Sequence, residues 1–307
     1  MSRAALQMAI AWAAAEESRL YNSYFSKCKS LARSYCHEKI RIGYFCEAPE
    51  GWNPGLHDVD CFYAADPTGF LMGVLGDEVI ATISAVKYSA SFGFIGFYIV
   101  KPEYRGQGYG IQLWNAALDT LTGRNVGLDG VLAQQQNYQK SGFQLAYRNI
   151  RYEGVGDGQT TNHSEIVKLS NVPFEIIAAY DQVLFPGDRI QFLHYWINQP
   201  DSTALGIVQN NQLAGYGVLR ACHKGYKIGP LFADQPQWAE LLLIALKATA
   251  TAGAPLYLDV PELNAAAVNL AEKYEMKTVF ETARMYTQVC PNLPYDRLFG
   301  VTTFELG

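Results

Sequence analysis

The chain lacks the features that mark metal proteins, membrane proteins and nucleic-acid binders. Its six cysteines show neither C-x-x-C pairs nor metal-ligand spacing, which argues against zinc or a disulfide scaffold and predicts free thiols in a reducing compartment. Charged residues make up only 17% of the 307 residues, and the net charge of -5 gives no general attraction to nucleic acid or anionic lipid. No apolar run approaches the roughly 18 residues of a membrane span. We expect a cytoplasmic protein with no metal, nucleic-acid partner or membrane partner.

The beginning of the sequence allows two interpretations. Arg3 and the stretch AALQMAIAWAAA could pass for a short signal peptide. Gln7 and Trp12 interrupt that stretch and two glutamates follow it, so an amphipathic helix explains it better. Residues 17 to 50 hold three of the six cysteines, and this shift in composition predicts an insertion.

The rest of the chain repeats one order of strands and helices. From Gly69 the sequence GFLMGVLGDEVIATISAVKYSASFGFIGFYIV predicts an antiparallel meander of strands, and the helical pattern IQLWNAALDTLT follows. A strand around VGLDGVLA, a short helix and a last strand complete the first half, and the same order recurs after residue 165. We predict an α/β (α+β mixed-sheet) fold with domains at 1–152 and 166–307 and a linker at 153–165.

Three glycines at every second position follow the strand FGFIGFYIV. Free backbone N–H groups at such a strand-to-helix turn suit an anion, and glycine allows a phosphate to approach closely. A Walker loop requires G-K-[ST] and a dinucleotide loop requires G-x-G-x-x-G, and the sequence RGQGYG at 105–110 offers neither. It does fit R-x-x-G-x-G, with Arg105, Gly108 and Gly110. In isolation this pattern would equally suit a flexible turn.

The context of the glycine turn carries a more specific resemblance. The preceding strand, Pro102, the following helix and the later NYQKSGF occur in one order, and together they closely resemble the GNAT family of acyl-CoA N-acyltransferases. The resemblance is strong over residues 51–152 and implies a tandem arrangement for the whole chain. The fold it implies is two tandem GNAT-like domains.

The resemblance implies a site for acetyl-CoA as co-substrate. In the family, N–H groups of the R-x-x-G-x-G loop hold the CoA pyrophosphate, and the end of the preceding strand pairs with the pantetheine arm and polarises the thioester carbonyl. The positions that match these roles are Tyr98, Ile99, Val100, Arg105, Gly106, Gln107, Gly108, Tyr109, Gly110 and Ile111.

The family also implies an acid for the leaving thiolate. It often has a tyrosine five residues before the phenylalanine of a G-F pair, which here is Tyr138 before Phe143. The alternative is that Tyr138 is a packed aromatic residue. The strand FGFIGFYIVK lacks the carboxylate that serves many relatives as a general base. Either water or Asp129 deprotonates the amine, or the amine arrives neutral. Asp129 is also a candidate for binding the acceptor.

The acceptor side is expected in the stretch GWNPGLHDVDCFY. Trp52 and His57 could face a small-molecule amine or a peptide amino terminus, and Asp58 could attract its charge. The alternative is that Asn53 and Pro54 make a turn and that His57 and Asp58 lie near a helix start. A CoA-binding module without turnover also remains open.

The second half departs from the family at the positions that carry chemistry. In NAAAVNLAEKYEM, Ala271 occupies the tyrosine position, and GYKIGPLFADQPQWAE lacks R-x-x-G-x-G where the phosphate loop belongs. We predict that this half no longer binds CoA. The strand that usually opens a family member is also expected to be missing.

Overall fold

The protein is described here by a computed structural model that covers residues 52–75, 78–158 and 164–307. The helix predicted near residue 1, the insertion at 17–50 and the missing first strand lie outside these residues. So do residues 159–163 of the predicted linker.

In the first half, one helix precedes a three-stranded meander, and two helices then alternate with two strands. These elements are α1 (Asp58–Ala65), β1 (Phe70–Leu75), β2 (Glu78–Lys87), β3 (Phe92–Val100), α2 (Tyr109–Thr120), β4 (Asn125–Val131), α3 (Gln135–Lys140) and β5 (Gln144–Val155). Strand β5 extends three residues into the segment predicted as a linker.

The second half repeats this order after a short strand. Its elements are β6 (Ile166–Lys168), α4 (Phe174–Gln182), α5 (Ile190–Trp196), β7 (Ser202–Gln209), β8 (Gln212–Ala221), β9 (Tyr226–Ala233), α6 (Pro236–Thr249), β10 (Pro255–Pro261), α7 (Ala265–Lys273), β11 (Lys277–Tyr286) and β12 (Leu298–Gly300). Asn210 and Asn211 both have positive φ, as a two-residue turn between β7 and β8 requires.

All the strands join one mixed sheet, in which the halves exchange strands. The order is β1-β2-β3-β4-β11-β5-β10-β9-β8-β7-β6, and β12 pairs with β9. Strand β11 therefore lies between β4 and β5 of the first half, while β5 pairs with β10 of the second half. Each half of the sheet is completed by a strand from the other half.

The buried apolar residues that the structure describes form three clusters on this sheet. One cluster packs α2 on the first meander, and another packs α6 and α7 on the second. A third, aromatic cluster joins the halves and includes Phe62 of α1, Phe94 of β3, Trp196 of α5 and Phe232 of β9. The predicted mixed fold of two similar halves is confirmed.

Candidate active site

A bulge in β3 opens a wedge between two parallel strands. Strands β3 and β4 pair only from Phe92 opposite Asn125 to Ile95 opposite Leu128. Phe97 then adopts a φ of 50°, the register against β2 shifts, and Thr82 Oγ1 donates a hydrogen bond of 3.1 Å to the Phe97 carbonyl. Since a bulge bends a strand, β3 turns away from β4 beyond this point. Within this wedge, β3 and β4 are no longer paired with each other, although both strands belong to the same sheet.

The end of β3 presents donors to this wedge. The N–H of Lys101 donates to the Ile80 carbonyl of β2, at 2.9 Å. Because N–H directions alternate along a strand, those of Tyr98 and Val100 point away from β2 and into the wedge. This part of the predicted pantetheine strand offers the hydrogen bonds that an extended ligand would need.

The glycine turn connects β3 to the start of α2. Gly106 and Gly108 have φ values of 73° and 84°, and a Cβ on either would meet nothing within 4 Å. Gly108 caps α2 without a side-chain hydrogen bond to the first turn, so that turn keeps backbone donors available for an anion. Arg105 Nε donates to the Val100 carbonyl at 2.8 Å and fixes the turn to the strand end. The loop fits a pyrophosphate in shape and in polarity.

Gly110 has a different role, because it lets α2 approach β3. A Cβ at this position would lie 2.6 Å from the Tyr98 hydroxyl and 3.0 Å from Val100 Cγ2. Gln107, Tyr109 and Ile111 lie in the turn and the first helical turn, and Ile111 is exposed.

Tyr138 of α3 lies over the end of β4. Its ring rests on Gly130, where a Cβ would overlap it, and lies 5.5 Å from the ring of Trp114 between centroids. Burial, with a smaller contribution from nearby Tyr98, raises the pKa of Tyr138 to about 12. The hydroxyl therefore stays protonated at neutral pH and can donate a proton or a hydrogen bond.

These groups line one pocket with a volume of about 1180 Å³. Its inner end contains residues from both halves of the chain, and sequence reasoning missed most of them. The group there comprises Trp52, Arg151, Phe280, Thr282, Phe304 and Glu305. Of these residues the sequence predicts only Trp52. The others lie on β5, on β11 and in the segment 298–307, and local sequence motifs do not indicate strand pairing between residues so far apart in the chain.

Arg151 holds this inner end together. Its Nε and Nη2 donate to both oxygens of Asp259, at 2.6 and 2.8 Å, and its Nη1 donates to the Trp52 carbonyl at 3.0 Å. Its guanidinium carbon also lies 4.7 Å from the centroid of the Phe304 ring. The walls of this end are therefore aromatic and fixed in position.

Asp129 lines the pocket, but its carboxylate is occupied. Arg284 Nε donates to Oδ1 at 2.9 Å and Nη2 contacts Oδ2, while Asn149 Nδ2 donates to Oδ1 at 2.8 Å. The side chain is 0% exposed. The role predicted for Asp129 as a base or acceptor ligand stays a prediction, and this buried ion pair with Arg284 argues against it.

His57 and Asp58 are absent from the pocket lining, which argues against the acceptor role predicted for them. Asp58 opens α1 in the core, where its oxygens accept from Arg220 Nε at 2.9 Å and from the Gly55 N–H at 2.8 Å. His57 Nε2 lies 2.9 Å from Asp201 Oδ2 at the surface. The alternative of a turn followed by a helix start describes this stretch, with Asn53 at a φ of 52°.

The second half contains a matching wedge, and the chain itself fills it. Strands β9 and β10 pair only from Tyr226 opposite Leu256 to Ile228 opposite Leu258. Beyond them β12 pairs with β9, and the Val301 N–H donates to the Asp259 carbonyl of β10 at 2.8 Å. A Cβ at Gly229 would overlap the Thr302 carbonyl. The segment 298–307 thus occupies the place that is open between β3 and β4.

The start of α6 differs from that of α2 in charge. Asp234 precedes it, accepts from the Tyr180 hydroxyl at 2.9 Å and pairs with Arg297 at 2.6 Å. Leu231 and Phe232 are buried, and the described turn has no left-handed glycine. At the matching tyrosine position, Ala271 of α7 is fully buried. A carboxylate at a helix start repels a phosphate.

Metal-ligand clusters and membrane-spanning helices are both absent from the part of the chain that the structure describes. No three His, Cys, Asp or Glu side chains converge there as metal ligands would. Among the same residues, no helix is long and apolar enough to cross a membrane.

Comparisons with known proteins agree with this geometry. The acetyltransferase (GNAT) family matches residues 37–143, beginning inside the predicted insertion, and the acetyltransferase (GNAT) domain matches residues 177–300. The chain is similar to the holothin acyltransferase of Pseudoalteromonas sp. (strain SANK 73390), with 28% identity over 84% of this chain and 88% of that protein.

Solved structures share the fold over both halves. A candidate acetyltransferase from Pyrococcus horikoshii has a TM-score of 0.70 at 24% identity, covering 81% of this chain and 83% of that one. A tandem GNAT protein from the clavulanic acid biosynthesis pathway has a TM-score of 0.51 at 12% identity, covering 73% and 83%. The chain consists of two GNAT domains in tandem, of which the second has lost the features of the cofactor site.

Proposed function

We propose that the protein is an N-acyltransferase that moves an acetyl group from acetyl-CoA to the primary amine of a small molecule. The observation that carries this proposal is the single continuous pocket, which joins the glycine turn, the open end of β3 and Tyr138 to an aromatic inner end. Its cysteine pattern leads us to propose the cytoplasm as the compartment.

Donor binding would use backbone groups. The turn at Arg105–Gly110 and the first turn of α2 would hold the pyrophosphate, and the N–H groups of Tyr98 and Val100 would pair with the pantetheine arm. One of these N–H groups would stabilise the oxyanion that forms when the amine attacks, a contribution of about 3 to 4 kcal/mol in other enzymes. The C–S bond then breaks, and Tyr138 would give its proton to the leaving thiolate.

The inner end suits a compact amine with an apolar body. Trp52, Phe280 and Phe304 supply flat apolar walls, and the segment 298–307 limits the depth of the pocket. The acyltransferase named for holothin is similar along most of its length, and this supports transfer to a small molecule. A peptide amino terminus is the rival acceptor. A peptide would need an open groove, which favours the small amine at this aromatic end of the pocket.

Release of CoA thiol tests the proposal directly. The protein is incubated with acetyl-CoA and, separately, benzylamine, tyramine, tryptamine, spermidine, a tobramycin-type aminoglycoside and an alanyl peptide, and the N-acetyl products are identified by mass spectrometry. We expect thiol release and product formation with at least one compact amine. Tight CoA binding without thiol release in any mixture would instead support a binding module, and preference for the peptide would contradict the acceptor class.

A further inference from the structure

Among the described residues that line the pocket, two carry a carboxylate, Asp129 and Glu305. Asp129 is held by Arg284 and Asn149. Glu305 has no cation within 4 Å among the residues that the structure describes, although it is only 5% exposed. Its Oε2 accepts a hydrogen bond from the Thr303 hydroxyl, and its Oε1 accepts none from the residues that the structure describes. Glu305 is thus a buried residue of the pocket lining whose carboxylate has one oxygen without a protein donor among those residues.

The position of Glu305 is set by β3. Gly96 immediately precedes the bulge that opens the wedge, and a Cβ on it would overlap the Glu305 backbone. The missing side chain at Gly96 thus leaves room for the segment 298–307 against β3. Strand β3 contains no carboxylate, and this segment places Glu305 beside it. Leu306, which follows, is buried, and its carbonyl accepts from the Tyr88 hydroxyl at 2.9 Å. The backbone at Glu305 is therefore held by its close contact with Gly96 and by the hydrogen bond at Leu306.

Two buried arginines lie near Glu305 without pairing with it. Arg151 on β5 and Arg220 on β8 both lie within electrostatic range of it. Each arginine already pairs with another carboxylate, Asp259 and Asp58 respectively. Lys227 is buried nearby, with its Nζ 3.4 Å from the Trp52 carbonyl. Because these arginines are paired elsewhere, Glu305 forms no ion pair among the described residues.

We propose that Glu305 is the general base that takes a proton from the acceptor ammonium group. This inference rests on the proposed function. The ammonium gives one proton to Glu305, and the neutral nitrogen then attacks the thioester carbonyl carbon. The new N–C bond forms first and gives a tetrahedral oxyanion, and the C–S bond breaks when this intermediate collapses. The thiolate takes the Tyr138 proton, the second nitrogen proton passes to water, and water restores both side chains to their starting states.

The test compares two amines that differ in charge at pH 7. Benzylamine is protonated at pH 7 and must lose a proton before it attacks, whereas aniline is already neutral. Glu305→Gln should lower kcat with benzylamine by about 10²-fold and kcat with aniline by clearly less, with the affinity for acetyl-CoA unchanged. The benzylamine deficit should shrink as pH rises toward the pKa of that amine, because more of it is then neutral.

Two further variants separate chemistry from folding. Glu305→Asp keeps the charge on a shorter side chain and should recover part of the benzylamine rate, and Glu272→Gln on the exposed face of α7 should change nothing. The base assignment would be overturned if Glu305→Gln lowered kcat equally with benzylamine and aniline, or if its loss of kcat with benzylamine did not depend on pH. It would also be overturned if Glu305→Asp were no more active than Glu305→Gln. If the unaltered protein releases no thiol with any amine of the wider panel, the proposed function fails, and the base assignment fails with it.

Discussion

At the scale of single residues, burial and pairing separate reactive groups from structural ones that look alike in sequence. Asp58, Asp129 and Glu305 are all buried carboxylates, but the first two are paired with Arg220 and Arg284. A sequence gives no sign of such pairing, since each arginine comes from the other half of the chain. Tyr138 could be predicted, because its neighbours in NYQKSGF are local.

Tyr138→Phe removes one hydroxyl and little packing. If Tyr138 protonates the leaving thiolate, we expect kcat to fall about 10²-fold while the dissociation constant for CoA stays the same. A matched control is Tyr226→Phe, whose hydroxyl bonds only Thr251 in the described structure, at 2.9 Å. Unchanged turnover of Tyr138→Phe in a chemistry-limited assay would remove this role.

The pH dependence of turnover follows from the same residue. An acid works below its pKa, and burial raises the pKa of Tyr138 to about 12, well above the ordinary value of 10.0. The protonated form therefore persists as pH rises through 10, where an exposed tyrosine would be half ionised. We expect kcat at saturating amine to show no alkaline decline up to about pH 10.5. A decline centred near pH 10 would mean that the hydroxyl is exposed in the working enzyme.

Asp129→Asn tests whether this carboxylate is structural. It would leave the Arg284 guanidinium buried without its counter-charge, and losing one partner of a buried pair costs about 3 to 5 kcal/mol. Glu281→Gln is the control, because its pair with Arg148 is more than a third exposed on both sides and contributes at most about 1 kcal/mol. Chemical denaturation measures both. A stable Asp129→Asn protein with kcat near zero would restore the catalytic role.

At the scale of elements, local patterns predicted the secondary structure and missed the pairing between halves. The meander, α2, the Asn-Asn turn and the helices of the second half all follow from periodicity and turn residues. The insertion of β11 between β4 and β5 depends on contacts more than a hundred residues apart, which periodicity does not encode. For the same reason the segment 298–307 could not be expected in the pocket.

The strand exchange makes each half incomplete without the other. Without the second half, β4 and β5 lose β11, and without the first, β10 loses β5. Unpaired strand edges and exposed apolar faces favour aggregation. We expect residues 1–158 and 159–307 to be insoluble when expressed separately and to copurify as a soluble complex when expressed together. A cooperative thermal transition from either half alone would show that the exchanged strands are dispensable.

At the scale of the whole molecule, the two similar halves differ in what they contribute. The glycine turn and Tyr138 of the pocket come from the first half, and the second half supplies part of the pocket wall. The two halves of the sheet open at corresponding places, between β3 and β4 and between β9 and β10. The first opening borders the pocket, whereas the second holds β12. The segment that closes the second wedge continues into the first and contributes Phe304 and Glu305 to it. One segment thus fills the second wedge and forms part of the wall of the pocket at the first.

This asymmetry predicts one CoA site per chain. In the second half, β12 occupies the strand edge that a pantetheine arm would need, and Asp234, paired with Arg297, precedes the start of α6. Isothermal titration calorimetry with acetyl-CoA should therefore give a stoichiometry near one. Gly108→Val with Gly110→Val should abolish binding, since valine is strained at the φ of 84° of Gly108 and Gly110 has Tyr98 at 2.6 Å. Gln235→Val with Gln237→Val, at the exposed start of α6, is the matched control and should bind normally. Two sites in the unaltered protein, or a site that survives the double glycine substitution in a folded variant, would mean that the second wedge opens and binds CoA.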